Sequence, residues 1–149
     1  MKSNMISSKM LLFAVALTLL AVTVQSWSDG NLSSDELKQL YNSPVKTAEW
    51  MVRPLGSSPI IFRIFSHTGV RVTLESDLSQ WLIHKGRRYG VASNTVVTSA
   101  RHMASNWKRL VTKNFNGRKK VADFVKRGGK SYNFLFDNCH EASIRMILQ

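Results

Sequence analysis

The 149-residue chain holds one cysteine, Cys139, and four histidines, His67, His84, His102 and His140. A sulfur and an imidazole suffice for nucleophilic catalysis when the sulfur ionises and a base lies within reach. Cys139 follows Asp137 and Asn138, either of which can cap a helix. It then falls in the first helical turn, where unpaired backbone N–H groups and the helix dipole favour a thiolate. His140 lies roughly 100° further round the same helix and reads as a poor base. His102 reads as a surface residue in a helical turn. His67 and His84 flank the turn signal Glu75-Ser76-Asp77. If the flanking segments pair as a hairpin with residue numbers summing to 151, His67 faces His84, with Cβ atoms roughly 5 Å apart. A slip of two residues would end that direct pairing but leave each side chain on its own face. One imidazole would take the thiol proton and the other would orient it.

Elements must exist to hold these groups. Ser33-Ser34-Asp35-Glu36 has the form of a capping box, predicting a short helix to about Tyr41, stopped by Asn42-Ser43-Pro44. Pro54 to Pro59 reads as a loop. Strands are predicted at Ile60–Phe65, His67–Leu74, Gln80–His84, Thr95–Thr98 and Trp107–Thr112. Val70, Val72 and Leu74 would share one face. Arg87–Gly90 reads as a loop and Ser99–Ser105 as a helical turn. Lys119–Arg127 reads as a helix with Val121, Phe124 and Val125 as its apolar stripe and Gly128-Gly129 as its stop. Asn138–Gln149 is the last helix, with Cys139, Ala142 and Met146 on one face. Helices and strands mix without a βαβ rhythm, so the expected class is α+β. Trp50, Trp81, Trp107 and the seven Phe are expected in the core.

The chain's start reads differently. Lys2 and Lys9 precede an apolar run from Met10 to Val24, 15 residues long, shorter than the roughly 20 a spanning helix needs. Residues 1–26 are therefore expected to be a secretory signal cleaved near Ser26/Trp27. Residues 27–59 would form an N-terminal helix and loop. Asn31-Leu32-Ser33 is a sequon. Charge is uneven: Trp27 to His84 carries 5 basic and 6 acidic residues, whereas Lys85 to Gln149 carries 14 against 3. The basic half favours anionic partners such as a phospholipid surface or a sulfated glycan; nucleic acid is not expected for an exported chain. One cysteine excludes an internal disulfide framework and a Cys-cluster metal site, and the histidines lack zincin spacing. No metal or cofactor is expected.

Three blocks add a family likeness. His67-Thr-Gly-Val-Arg-Val72, Trp81-Leu-Ile-His84-Lys-Gly86 and Tyr132-Asn-Phe-Leu-Phe-Asp-Asn138-Cys139 resemble the ordered motifs of the permuted papain-fold proteins. That group includes the lecithin-retinol acyltransferase-like and NlpC-like enzymes, in which a His-bearing hairpin precedes the Cys helix. The likeness runs from about Ile60 to Met146 and implies a catalytic domain over residues 60–149. It implies Cys139 as nucleophile, His67 as general base and His84 as the orienting histidine. Asn138 and Tyr132 would stand on the substrate or oxyanion side. Where the acyltransferase-like branch commonly continues Asn-Cys-Glu-His, this chain has Asn138-Cys139-His140-Glu141. The implied activity is a thiol hydrolase or acyltransferase working through a thioester on a peptide, amide or lipid acyl group. The other reading is a catalytically inactive, basic, secreted binding module for anionic surfaces.

Overall fold

The computed structural model describes residues 29–55, 66–86, 95–133 and 136–149. The expected signal segment, the strand at Ile60–Phe65 and the loop at Arg87–Gly90 lie outside the described residues. Helix α1 spans Ser34–Asn42. Its start is the expected capping box: the Glu36 N–H donates to Ser33 Oγ, and the Ser33 N–H donates to Glu36 Oε2 at 2.9 Å.

Five strands follow: β1 (Val45–Pro54), β2 (Ser66–Leu74), β3 (Gln80–Lys85), β4 (Thr95–Ser99) and β5 (Lys108–Asn114). They form one antiparallel sheet in the order β4-β3-β2-β1-β5. The α+β class holds, and helices α2 (Val121–Gly128) and α3 (Cys139–Ile147) complete it. Strand β1 has no counterpart among the predicted elements. Its burial does not alternate: Ala48, Glu49, Met51 and Val52 are all buried. An inner strand hides residues on both faces, so the period of two vanishes.

Val45, Ala48, Val70, Val72, Leu74, Ile83 and Val97 form the sheet's share of the core. Phe124 and Val121 of α2 and Ala142 and Met146 of α3 pack with them, all fully buried. Both predicted apolar stripes thus face the core. Helix α2 ends at Gly129, whose φ of +82° lies where a Cβ is penalised, so glycine is the fitting stop.

The β2–β3 register corrects the expected one. Gly69 pairs with His84 and Val70 with Ile83, so the numbers sum to 153, and the direct facing of His67 and His84 is replaced by a diagonal neighbourhood. The turn sets this. Leu78 takes a positive φ of 60°, the Leu74 N–H donates to the Ser79 carbonyl at 2.9 Å, and Ser79 N–H is held by Asp77 Oδ1 at 3.0 Å. A shift of two preserves the face, so both histidines still project from the same side. Among the described residues no helix is long and apolar enough to cross a membrane.

Candidate active site

The site forms where the first residues of β2 meet the first turn of α3. Asn138 is the cap of α3: its Oδ1 accepts the His140 N–H at 2.8 Å. Two contacts fasten this turn to β2. Thr68 Oγ1 donates to the Cys139 carbonyl at 2.9 Å, and His140 Nε2 lies 3.0 Å from the Ser66 carbonyl. His67 stands between Ser66 and Thr68, so both of its neighbours bond the helix that carries the sulfur.

Cys139 is buried, with 7% of its surface exposed. Burial alone would push its thiol up. Hydrogen bonds with the His140 and His67 side chains, the charge of His67 and the Thr68 backbone N–H together hold it down at about 5. The expectation for His140 is therefore corrected. Its ring does not turn away from the sulfur, and the Ser66 carbonyl, 3.0 Å from Nε2, holds it. A carbonyl only accepts, so Nε2 carries a proton, and Nδ1 favours the thiolate only when it carries a second one.

His67 Nε2 is 3.2 Å from His84 Nδ1, and the two rings meet edge to face at 5.1 Å and 86°. Burial, the His67 charge and the Arg53 charge hold His84 down at about 3, so its ring is neutral at neutral pH. Gly69 makes room for it. A Cβ at Gly69 would lie 2.9 Å from Leu82 Cδ1, 3.0 Å from His84 Cβ and 3.1 Å from the Ile83 carbonyl. Gly69→Ala is expected to cost about 1–3 kcal/mol by overpacking. His84 must then shift, so the His67 and His84 imidazole resonances are expected to move as well. Urea melts and histidine NMR spectra on the same preparations check this.

A cleft of about 350 Å³ opens beside the histidine pair, lined by Arg53, His67, Leu82, His84, Thr98, His102, Met103, Ala104 and Trp107. Cys139 does not line it. Trp107 corrects a second expectation: it stands outside the core, 5.7 Å from the His67 ring, with the Arg53 guanidinium 5.4 Å above it. His102, expected at the surface, is half-buried and lines the cleft too. Arg53 and Trp107 were not foreseen as site residues. They sit at the end of β1 and just before β5, and only the sheet order brings them to His67. Tyr132 is half-buried just ahead of the Asn133–Asp137 bridge and is not part of the cleft wall. A larger concavity of about 460 Å³, between Leu78–Trp81 and Ser99–Arg101, is lined by no His, Cys or carboxylate.

A buried ion network ties the two halves of the site. Lys85, next to His84, is fully buried; its Nζ donates to Asp137 Oδ1 at 2.5 Å and to the Gly128 carbonyl at 2.8 Å. Asp137, two residues before Cys139, also accepts from Arg145 at 2.7 Å and from Ser131 at 2.9 Å. Burial would raise the Asp137 carboxyl, but these hydrogen bonds outweigh it and hold it below the usual carboxylate range. Burial lowers Lys85 despite its partner. Among the described residues no three His, Cys, Asp or Glu side chains are grouped to hold a metal ion. No family model, curated protein or solved structure matches the chain.

Proposed function

We propose that the protein is a secreted thiol hydrolase or acyltransferase of permuted papain-like design, acting on an amide or ester bond through a Cys139 thioester. The observation that supports this reading is the His67–His84 contact of 3.2 Å on the strand fastened to the first turn of α3, with His140 and His67 drawing the Cys139 sulfur down to about 5 and the His84 ring neutral. The arrangement of a His-bearing hairpin followed by a Cys-bearing helix packed on an antiparallel sheet supports the papain-like reading. The apolar run at Met10–Val24 supports export.

In this scheme the resting pair is a thiolate and a His67 imidazolium. His67 Nε2–H donates to His84 Nδ1, leaving His67 Nδ1–H for the sulfur. The thiolate attacks the acyl carbonyl carbon, and the carbonyl π pair moves to oxygen. First-turn N–H groups of α3 are the donors the fold offers to that oxyanion; the His140 N–H is already committed to the Asn138 cap. As the oxyanion collapses, His67 gives its proton to the departing nitrogen or oxygen and the thioester forms. Water, an alcohol or an amine then attacks the thioester while His67 takes its proton. The C–S bond breaks and the thiolate returns. His84 keeps the His67 ring in the orientation this shuttle needs.

The test is a screen of peptide, amide and phospholipid substrates with wild type and Cys139→Ala, together with an acylating active-site probe. Turnover and labelling that vanish in Cys139→Ala are the expected result. Turnover that survives the substitution overturns the reading. Complete absence of probe labelling also does so, and favours the basic binding module in its place.

A further inference from the structure

The cleft wall is one-signed. Among the described residues it presents Arg53 and three histidines and not one acidic side chain. Arg53 is the cross-strand partner of His67, which places their Cβ atoms roughly 5 Å apart. Its guanidinium stacks over Trp107 at 5.4 Å, a geometry that holds the planar fork in place and leaves its N–H edge for another acceptor. Among the described residues no carboxylate pairs with Arg53. The acid on the same face of β1, Glu49, is already held by Arg71 at 2.6 Å and Arg109 at 3.1 Å. The cleft floor is less polar: Leu82, Met103 and Ala104 line it beside Thr98.

We propose that this cleft is a subsite for an oxyanion group, carboxylate or phosphate, carried by the acyl substrate and gripped by the Arg53 fork on Trp107. The proposal rests on the thiol reading for calling the ligand a substrate; the anion site itself does not depend on the sulfur. Arg53 is the cross-strand partner of His67, so the anion would sit beside the histidine that serves the sulfur. Leu82, Met103 and Ala104 would take the apolar stem that joins the two groups.

The experiment is equilibrium binding to the full chain carrying Cys139→Ala, so that no chemistry is needed. Three probes share an aromatic body: hippurate bears a carboxylate, phenyl phosphate a phosphate, and hippuramide neither. At least one anion is expected to bind about tenfold or more tighter than hippuramide, the scale of a charge-assisted bidentate contact. Which anion shows the preference identifies the source of the charge. Arg53→Met should bring the ratio close to one and Arg53→Lys should keep part of it. If Arg53→Met does not fold, Arg53→Gln replaces it. Equal binding of all three probes overturns the proposal, as does a preference unchanged in the Arg53 variants. Because the readout is binding, an inactive Cys139 would sink the thiol reading while leaving this result intact.

Discussion

Alkylation of Cys139 by iodoacetamide is expected to reach half its plateau rate near pH 5, far below the value of about 8.5 for an ordinary thiol. His67→Ala is expected to move that midpoint upward by about 1–3 pH units, the effect of removing a close opposite charge. The direction decides between two physical pictures. Burial at 7% exposure penalises the thiolate, so a sulfur that was only packed would titrate above the ordinary value. Hydrogen bonds with two imidazoles and a backbone N–H reverse that sign here. His140→Ala should shift the midpoint in the same direction, since its ring also meets the sulfur. The two variants should part in turnover. His67→Ala is expected to lower kcat/KM by about 10²–10⁴-fold, the usual share of a general base. His140 is anchored at the Ser66 carbonyl and carries no proton to the leaving group, so its loss should act mainly through the thiolate fraction. An alkaline profile that ignores His67→Ala removes the basis of the mechanism.

Asp137→Ala is expected to destabilise the protein by about 3–5 kcal/mol, because it strands the Lys85 ammonium with no exposure and no counter-charge. Lys85→Met should cost less, about 1–3 kcal/mol. In that variant Asp137 keeps Arg145 and Ser131 and is partly exposed, so only the Gly128 carbonyl loses its Lys85 donor and still accepts from Arg145. The asymmetry is the informative part, and paired urea melts measure it. A reversed order would mean that the acid, not the lysine, is the strained partner. The pH dependence follows with a definite sign. The folded Asp137 carboxyl lies below its ordinary value, so its contribution is complete above about pH 4 and is lost as pH falls through the folded value. Glu49 behaves alike: burial raises it, but Arg71 and Arg109 bring it down overall. Acid melts of Asp137→Asn should therefore be flatter below pH 4 than those of wild type.

The periodic elements are legible in the sequence. Val70, Val72 and Leu74 alternate because one face of β2 packs on helices. Val121, Phe124 and Val125 recur at helical spacing for the same reason. The Cys139 helix was readable from its cap and from Ala142 and Met146. Strand β1 was not, because Glu49 looks like a surface residue until two arginines from other strands enclose it. The hairpin register escaped by two residues because alternation fixes a face and says nothing of the slide along it; the turn around Leu78 decides that. Arg53 and Trp107 lie 54 positions apart in the chain and carry no shared pattern. The place of His140 is not legible, because a helical wheel sets side chains around an axis and cannot show that Ser66 lies across from it.

Cys139 is the one cysteine in the chain and it is almost enclosed. Were peroxide to convert it to a sulfenic acid, no internal thiol exists to condense with it and no disulfide could form within the chain. Recovery would fall to a small external reductant able to reach a nearly sealed position. The same residue that ionises readily would thus depend on an outside thiol for its repair.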